Sequence, residues 1–202
     1  MKLTNVCKAF GDNRVLENVN MTFNEGITCI MGPSGRGKTT LAYIIAGIIP
    51  PDSGSVDERE NKKISLMFQE DRLLEWETAL QNVLFVTKYS PLNILRYRDS
   101  SNPLHKHRER AVDLLTQANL SESINKKTSE LSGGMKRRVC LCRALIADYD
   151  ILILDEPFKG LDSGIKPSIM SMVKEHTAGK IVICITHDPL EADFLGGRLV
   201  EI

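Results

Sequence analysis

Eight consecutive residues, Gly32-Pro33-Ser34-Gly35-Arg36-Gly37-Lys38-Thr39, place three glycines ahead of a lysine and a hydroxyl. Glycines let the backbone turn tightly, so its N–H groups can approach an anion closely. A helix opening near Lys38 points its positive end at the same anion. Lys38 can then reach the β- and γ-phosphates of a nucleotide as a point charge, and Thr39 can present its hydroxyl to Mg²⁺. Thr40 completes the expected nucleotide-contacting stretch. A glycine-rich turn that merely caps a helix explains the glycines, but not the lysine and threonine behind them. The pattern is that of a P-loop, which identifies a purine-nucleotide phosphate site without by itself giving a function.

A second chemistry-bearing group is Asp155-Glu156, which follows the apolar run Ile151-Leu152-Ile153-Leu154 and precedes Pro157. A buried strand that ends in two acids places them at its carboxyl end, where ligands of open α/β sheets bind. Adjacent strand residues face opposite ways, so the two acids are expected to do different work. Asp155 is assigned to hold Mg²⁺ from outside its inner ring of ligands, and Glu156 to polarise a water. Gln69 follows the apolar run 64–68, from which its amide could reach Mg²⁺ and the attacking water. His187 follows the run 181–185 and Thr186; its imidazole is placed to hydrogen-bond a γ-phosphate and hold the water of Glu156 in line. Phe10 closes the first strand and is read as a stacking partner for a purine base. Taken singly these are an ordinary loop glutamine, a capping histidine and a core phenylalanine. Their shared position at strand ends is what recommends them.

These residues need a sheet to hold them. Residues 3–10 and 15–23 read as strands, and Gly11-Asp12-Asn13 between them is turn chemistry, so a hairpin is expected. Short apolar runs follow at 27–31, 64–68, 151–154, 181–185 and 198–202. Four are continuous rather than alternating, as in strands buried on both faces of a parallel sheet. A helix is expected over residues 37–48, stopped by Pro50, Pro51 and the turn Asp52-Ser53-Gly54. Residues 71–131 have no strong strand run. They contain a helical stretch at 108–120 with Ala111, Leu114, Leu115 and Ala118 on one face. The segment 92–102 reads as a loop. The expected fold is therefore α/β: a mostly parallel sheet, an antiparallel β portion at the N-terminus, and an inserted helical lobe. One domain spans 1–202, with residues 1–70 and 132–202 as its core lobe and about 71–131 as the helical lobe.

Leu131-Ser132-Gly133-Gly134 stands before a helix expected over residues 135–147. Ser132 is a good N-cap and the glycines leave backbone N–H groups open, which makes a second anion site. The P-loop, Gln69, this tetrapeptide, Asp155-Glu156, Leu161-Asp162 and His187 occur in an order and spacing that resembles ABC-type ATPases. The resemblance covers essentially the whole chain and is specific, since most other P-loop proteins lack both the tetrapeptide and the histidine. It implies a P-loop NTPase core that takes ATP and Mg²⁺. It also implies a head-to-tail homodimer in the ATP-bound state, in which Ser132, Gly133 and Gly134 act in trans on the other subunit's nucleotide. Asp162 would lie at the dimer seam.

Met67-Phe68-Gln69-Glu70-Asp71-Arg72-Leu73-Leu74, with Trp76 and the run Thr78-Ala79-Leu80-Gln81-Asn82-Val83, looks like the ATP-binding subunits of nitrate, sulfonate and taurine-type importers. That likeness implies ATP hydrolysis coupled to solute import, separate membrane permease subunits touched by residues 70–86, and a solute-binding protein. It places the chain in the cytoplasm, peripheral on the inner face of the membrane, with no nucleic-acid partner. Met135 departs from the usual glutamine after the tetrapeptide, Glu75 from the usual proline before Trp76, and Lys159-Gly160 from the usual small residues. Gly196-Gly197 stands near a position where the family often has an acid. The alternative is an ABC-type ATPase of DNA repair, chromosome or translation function. Repair and chromosome chains carry a long coiled coil where this one has only residues 40–130, and translation factors normally carry two cassettes in one chain.

Composition agrees with a packed globular chain. The 202 residues include 26 basic and 26 acidic side chains, and 42% are apolar. Zero net charge argues against nucleic acid as the main partner. The longest apolar run, residues 41–49, would rise about 14 Å as a helix, against roughly 30 Å of hydrocarbon. No signal peptide is expected at the N-terminus, nor a regulatory domain after the last strand. Five cysteines without a CxxC pair read as reduced thiols, with Cys29 and Cys184 buried in strands. Residues 96–110 carry a surplus of positive charge and read as a solvated face.

Overall fold

The computed structural model describes residues 1–87 and 103–202, so the loop expected over 92–102 lies outside the described residues. In chain order the elements are β1 (Lys2–Phe10), β2 (Asn13–Thr22), β3 (Gly26–Met31), α1 (Lys38–Ile45), β4 (Ser53–Asp57), β5 (Ile64–Met67), α2 (Ala79–Leu84), α3 (Pro103–Gln117), α4 (Gly133–Ile146), β6 (Ile151–Asp155), α5 (Lys166–His176), β7 (Ile181–Ile185), α6 (Pro189–Leu195) and β8 (Arg198–Glu201). They fall into two compact units: residues 1–69, 149–157 and 177–202, and residues 70–148 and 158–176.

The first unit holds both sheets. One is antiparallel in the order β2-β1-β4, and the other runs β5-β6-β7-β3-β8. All four pairings of the larger sheet are parallel. Its central strands are the continuous apolar runs: every residue of β6 is buried, as burial on both faces requires. Leu3, Val6 and Phe23 from the antiparallel part join Ile30, Leu41, Ile44, Ile45, Ile153 and Ile183 in one core.

At eight residues α1 is too short to persist alone, since isolated helices need roughly 12–15 residues. Packing decides the matter. Leu41, Ala42, Ile44 and Ile45 are buried, and each large one contributes about 1.5–3 kcal/mol. The helix stops before the prolines expected to end it. Gly47, at φ 74°, reverses the chain. The Ile48 N–H then donates to the Tyr43 carbonyl at 2.9 Å, and the Gly47 N–H to that of Ile44 at 3.1 Å.

Strand β4 was not expected. Its sequence, Ser53-Gly54-Ser55-Val56-Asp57, is polar and reads as a turn. It forms because β1 offers it a free edge: Leu3 pairs with Val56 and Cys7 with Ser53.

The second unit contains α2 to α5. Ala111, Leu114 and Leu115 on α3, and Ala118 directly after it, are all fully buried, as their spacing requires. α3 starts at Pro103, an ordinary first helical residue, and turns out at Asn119 with φ 54°. Thr78 caps α2 in a capping box with Gln81. The buried Asn82 binds the preceding loop, accepting from the Leu74 N–H at 2.8 Å and donating to the Leu74 carbonyl at 3.0 Å. The sequence set the helical lobe at about 71–131, whereas this unit also takes in α4 and α5.

Candidate functional site

The P-loop residues sit between β3 and α1, with backbone conformations that only glycine adopts without strain. Gly37 is the N-cap of α1 at φ 84°, and a Cβ there would lie 2.7 Å from Val15 Cγ1 and 2.8 Å from the Val15 carbonyl oxygen. Gly32 lies against the carbonyl of Ile202. The Arg36 N–H closes the turn on the Pro33 carbonyl at 3.4 Å. The Lys38 ammonium donates to the carbonyls of Gly32 at 2.7 Å and Pro33 at 2.8 Å, which tethers it to the loop it follows.

A cleft of about 300 Å³ opens on this loop. Ser34, Gly35, Gly37, Lys38, Thr39 and Thr40 line it from one side. Gln69, Asp155 and Glu156 line it from the strand ends, and Phe10 with Val15 supplies an apolar wall. Phe10 is 53% exposed, a high value for a phenylalanine, and the Lys8 ammonium stands 5.6 Å from its ring centre.

The two acids occupy different environments, but Glu156 lies just beyond the strand, so strand alternation is not what separates them. Asp155 closes β6 at 1% exposure and accepts the Thr39 hydroxyl on Oδ2 at 2.8 Å. Glu156 is turned out of the strand by a left-handed backbone, φ 50°, while its N–H still donates to the Ile185 carbonyl at 2.9 Å. A non-glycine residue held there costs of order 1–3 kcal/mol, and such residues concentrate at functional positions. The Glu156 carboxylate accepts from Gln69 Nε2 at 3.3 Å, and His187 Nδ1 lies 3.6 Å from its other oxygen. The His187 side chain is 66% exposed.

The structure thus brings Phe10, the P-loop, Gln69, Asp155, Glu156 and His187 together in the first unit. Ser132, Gly133, Gly134 and Asp162 belong to the second. Ser132 caps α4, accepting from the Met135 N–H at 3.4 Å, and a Cβ on Gly133 would meet nothing within 4 Å. A Cβ on Gly134 would lie 3.0 Å from the Gly160 carbonyl, so Gly160 packs beside the tetrapeptide. Asp162 is exposed, and its carbonyl accepts the N–H groups of Ile165 and Lys166 at the start of α5. Sequence reasoning missed Val15 and Ile185 as cleft walls, since an apolar residue in a strand carries no sign of which ligand it faces.

Residues 16–159 match the ABC transporter family. The chain belongs to that family. The bicarbonate transport ATP-binding protein CmpD of Synechocystis sp. is 37% identical, the alignment taking in 99% of this chain and 73% of the relative. The aliphatic sulfonates import ATP-binding protein SsuB 1 of Rhodococcus jostii is 34% identical over 99% of this chain and 78% of its own length. A dimeric, post-hydrolysis ATP-binding cassette bound to ADP and Pi superposes with a TM-score of 0.81 at 34% identity. That match covers 100% of this chain and 93% of the cassette. This ABC ATPase has the cassette fold expected from its motifs. Among the described residues no helix is long and apolar enough to cross a membrane.

Proposed function

We propose that this ABC ATPase is the ATP-hydrolysing subunit of a membrane importer, working as a homodimer that closes on ATP and reopens after hydrolysis. The observation that carries the reading is the approach of Gln69 and His187 to the two oxygens of Glu156, in the same cleft edge as the Thr39–Asp155 pair. The P-loop amides and Lys38 bind the triphosphate, and Phe10 with Val15 receives the base. Glu156 takes the proton of the attacking water, worth about 10²–10⁴-fold in rate. Gln69 and His187 orient that water and the γ-phosphate. Ser132, Gly133, Gly134 and Asp162 complete the nucleotide site of the second copy.

The donor set suits a hard cation: a hydroxyl, a carboxylate and an amide, all oxygen ligands, with no sulfur or imidazole. Thr39, Gln69 and Asp155 would hold Mg²⁺ directly or through water. Bound there, the ion would neutralise charge on the β- and γ-oxygens.

The importers among the relatives support a membrane permease partner; a solute-binding protein and a place on the cytoplasmic face of the membrane belong to the same proposal. Exposed Trp76 and Phe85, at 69% and 47%, are the residues of the second unit expected to meet that permease. Purifying the tagged chain from detergent-solubilised membranes tests this. A multi-spanning protein that co-purifies and gives ATP-driven solute uptake in vesicles is expected. Recovery of DNA or ribosomes instead would favour the alternative branch.

A further inference from the structure

The segment carrying His187 is fixed on its N-terminal side by a buried carboxylate that the nucleotide site does not include. Glu191, in the first turn of α6, is 5% exposed, and its Oε2 accepts the Thr186 hydroxyl at 2.5 Å. Thr186 is 1% exposed, and its own oxygen accepts the Asp188 N–H at 3.1 Å. A hydroxyl that donates to a carboxylate must turn its lone pairs elsewhere, so the two bonds set one another's geometry. A carboxylate this buried is costly unless donors offset its lost hydration, and a bond to an ionised acceptor is among the stronger kinds.

The backbone is tied in as well. The Thr186 N–H donates to the Ile30 carbonyl at 3.2 Å, holding β7 to β3 just ahead of the P-loop. Asp188 caps α6 through the Leu190 N–H at 3.0 Å, and the Asp188 carbonyl accepts the Glu191 N–H at 3.1 Å. Residues 186 and 188 are thereby both anchored, and the exposed imidazole between them keeps freedom only about its own side-chain bonds. A β-branched residue at 186 adds stiffness at χ1.

We infer that Glu191 is a positioning residue for ATP hydrolysis: through the Thr186 hydroxyl it fixes the peptide that carries His187 beside Glu156. The inference rests on the reading of His187 as a group that contacts the γ-phosphate. Misplacing such a group by about 1 Å can cost up to 10²-fold in rate.

The test is steady-state ATP hydrolysis by the whole chain at saturating protein. Thr186→Val keeps the shape and deletes the hydroxyl. It is expected to lower kcat about tenfold while KM for Mg-ATP stays within about twofold. Thr186→Ser restores the hydroxyl and should return kcat to within about twofold of the parent. Glu191→Gln, which keeps volume and an acceptor oxygen but loses the charge, should show the same split at smaller size. In a His187→Ala background neither change should lower the rate further. An unchanged kcat in Thr186→Val and Glu191→Gln overturns the inference. So does an equal loss in the His187→Ala background, or a serine variant as slow as the valine one. If His187→Ala alone hydrolyses at the parental rate, the reading of His187 fails first and the inference falls with it.

Discussion

The Thr39 hydroxyl donates to Asp155 Oδ2 across 2.8 Å, although the two residues stand 116 positions apart in the chain. The bond joins the first turn of α1 to the end of β6, so the P-loop and the acidic strand end are one unit before any ligand arrives. Asp155 is buried at 1% exposure, and the Thr39 hydroxyl is a donor that offsets its lost hydration.

Thr39→Val and Asp155→Ala should therefore each raise the Mg²⁺ concentration needed for half-maximal ATP hydrolysis. Their effects should be strongly non-additive, because each change alone breaks the same bond. Metal titrations of the two single variants and the double variant measure this. Independent, additive effects would mean that the bond does not organise the site.

The thiols should separate by environment. Burial pushes Cys140 and Cys142 up to about 12. Cys7 lies below its ordinary 9.0, chiefly because the Asn18 N–H donates to its sulfur at 3.2 Å, with Ser53 adding a second hydrogen bond. A lowered pKa means that thiolate appears at lower pH, and the thiolate is the reactive form. An aromatic disulfide reagent should label Cys7 first, with a rate whose half-maximum falls below pH 9.0, and Cys7→Ser should abolish the fast phase. Rapid labelling of Cys140 or Cys142 in the folded chain would contradict the packing described for α4.

Much of this site was legible because its chemistry depends on residue type at short spacing. Gly32 to Thr39 and Asp155-Glu156 declare themselves locally, and parallel strands buried on both faces force continuous apolar runs such as 151–154. What failed to show depends on long-range partners. Strand β4 exists because β1 has an open edge, which its own polar residues do not reveal. The place of α4 in the second unit is set by side chains from far along the chain: the Cys142 thiol donates to the Leu114 carbonyl at 3.4 Å, and Arg137 meets Asp71 at 3.3 Å. Glu191 carries no signal in the sequence; the turn from β7 into α6 brings it onto Thr186.

Acid stability should carry the mark of Asp52. Its carboxyl lies below the ordinary 3.8 because the Lys8 ammonium donates to it at 2.6 Å, helped by the Ala9 N–H at 2.7 Å. A depressed folded-state pKa stabilises the fold above the unfolded value, and that stabilisation is lost as pH falls through the folded one. The stability gap between the parent and Asp52→Asn should be widest above pH 3.8 and close below it. Urea unfolding across that range checks the sign; a gap that widens on acidification would refute it.

The central claim is that this cleft binds Mg-ATP and that Glu156 removes the proton from the attacking water. Glu156→Gln keeps the volume and a hydrogen-bonding partner for Gln69 but cannot accept that proton. With Mg-ATP this variant should hydrolyse about 10²–10⁴-fold more slowly than the parent and elute as a dimer that retains ATP. A variant that turns over ATP at the parental rate, or that takes up no nucleotide at saturating Mg-ATP, would contradict the account.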